Sequence, residues 1–288
     1  MSGKTNFHFE RLIPAAAFPA AAVIMYFSIL KPGVILFGND TLFHDYMMLY
    51  YGWERLGEGT LVSWMPHLYS GIPFIGSFAF CPFYPFSWLF LILPFPFAFN
   101  AQYILHSILA GAFSYRMFRS FGYERFPSLF GGLAFQACGH FATLCYPGHL
   151  QKVQAIVWIP LALGFLHRAL YSGKKYRFLY CAGALSMPLL TSHPQIYYYG
   201  MALALLYVLW ALGNRKRKPL QVSTKRIASF FFILVFFSLA LSAAQILPAY
   251  ETSIYSVRAG GMEFEKAIKS SYPPSELFEL VLPRFTGD

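Results

Sequence analysis

Residues 201–240 read MALALLYVLWALGNRKRKPLQVSTKRIASFFFILVFFSLA. Two apolar runs, 196–212 and 227–247, flank a segment, 213–226, with six Lys or Arg and no Asp or Glu. Crossing roughly 30 Å of hydrocarbon takes about 20 apolar residues as a helix. Two such runs joined by a basic turn read as a pair of membrane helices that return at the cytoplasmic face. The fold class expected is therefore an all-α polytopic membrane protein.

The same pattern extends outward from this pair. Further apolar runs lie at 12–30, 101–118, 126–145, 153–170 and 178–192, which makes seven. Residues 83–99 are also apolar, but Pro85, Pro94 and Pro96 interrupt them, so they read as an interfacial or half-buried helix. With the N-terminus in the cytoplasm, the inner segments are 1–11, 116–125, 167–177 and 213–226, and they hold 15 of the 22 Lys and Arg. An eighth span at 83–99 would move the basic segment 116–125 to the outside, against the positive-inside rule. The first run, 19 residues after Lys4 and Arg11, lacks a small-x-small cleavage site and reads as an uncleaved span. The expected layout of 1–288 is one transmembrane domain with a first outer loop at 31–82, short interfacial helices within it, and the start of another outer segment at 249–288.

Composition agrees. The chain is 57% hydrophobic with mean hydropathy +0.49, too apolar for a soluble domain of 288 residues. Its net charge of +10 comes mainly from the inner turns. No basic patch interleaved with aromatics on a polar face appears, so no nucleic-acid partner is expected. Cys81, Cys138, Cys145 and Cys181 show no C-x-x-C spacing and read as small buried hydrophobes. Motifs for phosphate-loop nucleotide binding, zinc proteolysis and the serine-hydrolase elbow are absent from the sequence.

The acids sort against the bases. Of twelve Asp and Glu, only Glu10 and Glu124 fall inside; the others lie on the outer segments. Acids contribute little to topology, so this asymmetry points to chemistry at the outer face. Residues 38–47, GNDTLFHDYM, place Asp40, His44 and Asp45 within six positions. Two readings remain open: a turn and helix cap, or two carboxylates and an imidazole around one spot, able to take a proton or hold a divalent ion. Residues 192–200, SHPQIYYYG, follow a run of only 15 residues, about 22 Å of helix. Irregular backbone sunk to that depth must be buried in protein or line a wet cavity, so His193 and Gln195 are candidates to line a pocket; a capping turn is the alternative. Residues 245–251, QILPAYE, bring Glu251, and Arg258 follows; both are site candidates or interfacial anchors. The loop at 146–151 adds His149.

These stretches, in order, resemble the YfhO-type bacterial membrane proteins, which belong to the polytopic glycosyltransferases of GT-C fold. The pieces that carry the likeness are G-N-D at 38–40, W-M-P-H-L-Y-S-G-I-P-F at 64–74, F-Y-P-F-S-W-L-F at 83–90, the H-P-Q turn at 193–195, Q-I-L-P-A-Y-E at 245–251, S-V-R at 256–258 and L-P-R-F-T-G at 282–287. The resemblance implies an enzyme of the bacterial plasma membrane that moves a sugar from a polyprenyl-phosphate donor to an acceptor in the cell envelope, polymer or lipid. It implies that the chain is the N-terminal portion of a longer protein, with the active face extracytoplasmic. It also implies a catalytic acid in the first outer loop, at Asp40. The leaving lipid phosphate would need a cation, for which Arg258 is the candidate with His193 and His149 as helpers. A Mg or Mn ion on Asp40 and Asp45 could share that work. Two other classes stay in view: a transporter or lipid flippase, and a non-catalytic partner in envelope assembly. A transporter places ionisable residues mid-span, where this sequence offers mainly His106 and His140 and no evident internal repeat.

Overall fold

A computed structural model of the chain describes residues 3–285 apart from 175, 257, 258, 262, 270, 272, 283 and 284; the side chains of 3–12, 43, 44, 267, 275 and 280 are also outside the described set. The protein is 72% helical. Its helices are α1 (Gly3–Met25), α2 (Tyr46–Gly57), α3 (Leu89–Ile92), α4 (Phe95–Phe121), α5 (Arg125–Gln136), α6 (Gly139–Cys145), α7 (Leu150–Ile156), α8 (Trp158–Ser172), α9 (Tyr176–Leu190), α10 (Pro194–Gly213), α11 (Thr224–Leu241), α12 (Ala243–Ile254) and α13 (Phe264–Ile268). Among the described residues, three continuous helical stretches are long and apolar enough to cross a membrane: Leu150–Ser172 through α7 and α8, α10, and α11.

All seven apolar runs are mainly helical, but run 178–192 ends in a turn at Thr191–Ser192 and not every other run is one unbroken rod. Run 126–145 divides at Ala137 and Cys138 into α5 and α6, and run 227–247 divides at Ser242 into α11 and α12. Residues 83–99 consist of a 3₁₀ turn, Pro85–Trp88, then α3, then the first turn of α4, because Pro94 and Pro96 restart the helix. The ends of α4 and α8 are set by glycines in left-handed backbone, Gly122 (φ +98°) and Gly173 (φ +69°).

The segment 31–82 is a folded cap rather than a connector. It contains a five-residue π turn, Thr41–Asp45, then α2 and a short antiparallel hairpin of β1 (Trp64–Met65) and β2 (Ile72–Pro73). Its aromatic centre stacks Phe74 on Phe80 with centroids 5.0 Å apart, and Trp53 packs on Phe80 and Phe90. Rings buried this way bring about 1.5–3 kcal/mol each relative to exposure.

Irregular backbone beside apolar helices must have its polar groups satisfied. Three buried carboxamides do so. Asn100 Nδ2 donates to the carbonyls of Ile29 (2.9 Å) and Val34 (2.6 Å) while its Oδ1 accepts from Leu36 N–H (3.0 Å). Gln102 Nε2 donates to Phe86 O, and Gln245 Nε2 to Ile75 O and Phe80 O. Beneath the cap, Gln154 donates to Gln102 Oε1, and Trp158 Nε1 donates to Tyr84 OH, which lies 2.6 Å from His106 Nε2. His106 Nδ1 faces the Gln102 carbonyl at 2.7 Å. A carbonyl can only accept, so Nδ1 carries the proton and Tyr84 donates to Nε2.

Candidate active site

The cap positions Asp40 by a close fit of two turns. The Asp40 N–H donates to Pro147 O at 2.9 Å. A Cβ on Gly38 would lie 2.5–2.6 Å from the Pro147 and Gly148 backbone, and Gly148, at φ +96°, packs its α-carbon against Thr41. Only glycine allows this approach. The fit brings Asp40 Oδ2 to 3.2 Å from His149 Nδ1, with 53% of the Asp40 side chain and 29% of the His149 side chain exposed. The pair is thus reachable from outside while its imidazole is half sunk. The π turn that carries Asp40 into α2 belongs to a type frequent at functional sites.

His193 reaches the same locality from the other end of the chain. Pro188 O and Leu189 O accept from the His193 and Ser192 N–H groups and close α9. Ser192 sits in left-handed backbone at φ +60°, a conformation uncommon for non-glycine residues and often kept where function demands it. Burial, then the nearby Lys152 ammonium and His149, hold the His193 imidazole down at about 4, so at neutral pH it carries no charge. Its Nδ1 is buried without a hydrogen-bond partner among the described residues.

Asp45 lies deeper, 8% exposed against the exposed Asp40. Cys81 Sγ is hydrogen-bonded to Ser192 Oγ at 3.4 Å. Burial pushes that thiol up to about 12; the Ser192 bond pulls against this, and the Asp45 carboxylate adds to it. Asp45, Cys81 and Ser192 are thus within electrostatic or hydrogen-bonding reach of one another, with His193 next in the chain. A divalent ion needs several oxygen ligands, yet no group of three or more His, Cys, Asp or Glu among the described residues is arranged to hold one.

An apolar groove of about 580 Å³ lies between α4, α5, α8 and α10. One wall carries Ile156, Ile159, Pro160 and Leu163, and Lys152 stands one helical turn before Ile156 on the same stripe. The facing wall carries Ile196, Gly200 and Leu203, with His193 capping that helix. Lys152 and His193 thus lie about one turn outside groove-lining residues of the two walls. Exposed Gln195 donates to Tyr199 OH at 2.9 Å at the groove's rim.

The structure pairs Asp40 with His149 and sets His193 within electrostatic reach of His149 and Lys152; Asp45 is buried near Cys81. Lys152 belongs to the group although its sequence gave no sign beyond a cation heading an apolar helical stripe. Glu251 lies elsewhere: it lines a cavity of about 330 Å³ with Ser63, Thr252 and Tyr255, where α12 meets the cap. Arg258 and the side chain of His44 are outside the described residues. No family model matches the chain, and no curated protein or solved structure gives a significant match.

Proposed function

We propose that the protein is a membrane glycosyltransferase that takes a sugar from a polyprenyl-phosphate donor and transfers it to an envelope acceptor at the outer face of a bacterial plasma membrane. The reading includes seven spans with the N-terminus inside, and it agrees with the YfhO-type resemblance of the short motifs. One observation carries it: an accessible acid–imidazole pair, Asp40–His149, is coupled through His149 to His193, and Lys152 and His193 lie about one turn outside residues that line an apolar groove. An amphiphile with an isoprenoid tail and a phosphate head matches that distribution of chemistry. The tail lies along Ile156, Leu163 and Leu203, and the phosphate meets the ammonium and the imidazole.

The acceptor hydroxyl would approach Asp40 and His149. With Nδ1–H held by the Asp40 carboxylate, His149 Nε2 is the lone-pair nitrogen, and the pair can take the hydroxyl proton as its oxygen attacks the sugar carbon. Negative charge then grows on the departing lipid phosphate, where Lys152 opposes it. A transporter gains no comparable support, because His106 is fully buried in a hydrogen-bonded network with both ring nitrogens engaged.

In cells, Asp40→Asn in the intact protein is expected to insert normally and to abolish the sugar decoration, with the lipid-linked sugar accumulating. Undiminished decoration in this variant would refute the assignment of Asp40.

A further inference from the structure

A second cleft, of about 550 Å³, lies on the other side of the α5–α6 break, with Cys138 lining both it and the groove above. Its walls are residues 34–37 on one side and Ala142, Cys145 and Tyr146 on the other. Each wall runs directly into one arm of the reactive pair: Asp40 is three residues beyond Phe37, and His149 three beyond Tyr146. The Asp40 N–H bond to Pro147 O joins the two arms where the cleft ends. Its lip is aromatic, with Phe37 66% and Tyr146 86% exposed, as suits a membrane–water boundary.

The two channels differ in their heads. Neither lining carries a charged residue, but Lys152 and His193 lie about one turn outside the groove's Ile156 and Ile196, whereas the cleft's own polar groups are the hydroxyls of Tyr26, Ser28 and Tyr146 and the thiols of Cys138 and Cys145, with Tyr26 OH 3.5 Å from Cys145 Sγ. We infer that this cleft holds the hydrocarbon chain of a neutral lipid alcohol, and that such a lipid is the acceptor. The inference rests on the transferase reading and narrows it: the acceptor enters from the bilayer rather than from the aqueous side. The hydroxyl oxygen forms a bond to the anomeric carbon, and the carbon–oxygen bond to the lipid phosphate breaks with its electron pair leaving on phosphate. The hydroxyl proton passes to the Asp40–His149 pair and from there to water.

Photolabelling of the intact protein in vesicles separates the two channels without requiring turnover. The probes are a diazirine-bearing dialkylglycerol and a diazirine-bearing isoprenyl phosphate. Dialkylglycerol is expected to label peptides containing 34–37 and 142–146, and isoprenyl phosphate those containing 156–163 and 196–203. Ala142→Trp and Val34→Trp fill the cleft from opposite walls; each should cut dialkylglycerol labelling at least tenfold and leave isoprenyl phosphate labelling unchanged. Equal labelling of both channels by the neutral probe, or cleft labelling that survives both tryptophans, overturns the inference. Transfer to a short water-soluble alcohol as fast as to dialkylglycerol also overturns it. Failure of the unaltered protein to consume a polyprenyl-phosphate sugar would instead sink the transferase reading, and the labelling pattern would still decide whether the cleft takes a neutral lipid.

Discussion

His193 is the residue whose chemistry depends most on its neighbours. Its imidazole ordinarily titrates near 6.5 and here is held down at about 4, by burial first and then by Lys152 and His149. The folded protein therefore keeps it neutral where the unfolded chain would protonate it. By linkage, this favours the fold above pH 6.5, and the advantage is lost as pH falls from 6.5 towards 4. Thermal unfolding in detergent should show that acid limb, and His193→Gln should flatten it. A bound phosphodiester reverses the balance by drawing a proton onto the ring. Affinity for a polyprenyl-phosphate sugar, whose single charge is constant in this range, is thus expected to rise between pH 7 and pH 5. Lys152→Gln removes the first charged neighbour and should move that rise to higher pH; an affinity flat with pH in the unaltered protein would remove His193 from the phosphate site.

At the scale of elements, the site depends on two turns that approach each other through glycines. Gly38→Ala would drive a methyl group into the Pro147–Gly148 backbone, which has no flexible end to yield. Overpacking of this kind costs about 1–3 kcal/mol, and the variant should melt lower in detergent and lose transfer by more than its stability explains, because Asp40 and His149 separate. Full activity in Gly38→Ala would show that the fit of the two turns is dispensable. Much of this level was legible in the sequence. The apolar runs mark most of the long helices, and the polar stretches beside them contain Asp40, His149 and His193, of which the fold pairs the first two and couples the third to His149. Lys152 was not legible, because what gives it a role is the closeness of the 149–152 turn to residue 193, across some forty residues of chain. Asn100, Gln102 and Gln245 were hidden for a related reason. A single carboxamide in an apolar run looks incidental until the loop carbonyls it satisfies are known. Glu251 shows the converse: nearness to a span end did not bring it to the reactive pair, since α12 directs it to a different cavity.

At the scale of the whole molecule, the proposal stands on sidedness. The basic turns at 116–125, 167–177 and 213–226 lie at one set of helix ends, and the cap with Asp40 at segments that alternate with them along the chain. Cysteines introduced at Asn39 and Asn214 should differ in intact cells, with an impermeant thiol reagent modifying only the first. Modification at Asn214 would invert the orientation and put the site in the cytoplasm. The proposal at its core is that the Asp40–His149 pair, with Lys152 and His193 near it, promotes breakage of the bond between sugar and lipid phosphate. Its most direct test is the rate at which purified intact protein, given a polyprenyl-phosphate sugar and dialkylglycerol, releases free polyprenyl phosphate. Release is expected from the unaltered protein, with a loss of about 10²–10⁴-fold in Asp40→Asn, the range for removal of a general base, and donor binding retained. Equal rates from the two proteins, or no release from either, would contradict it.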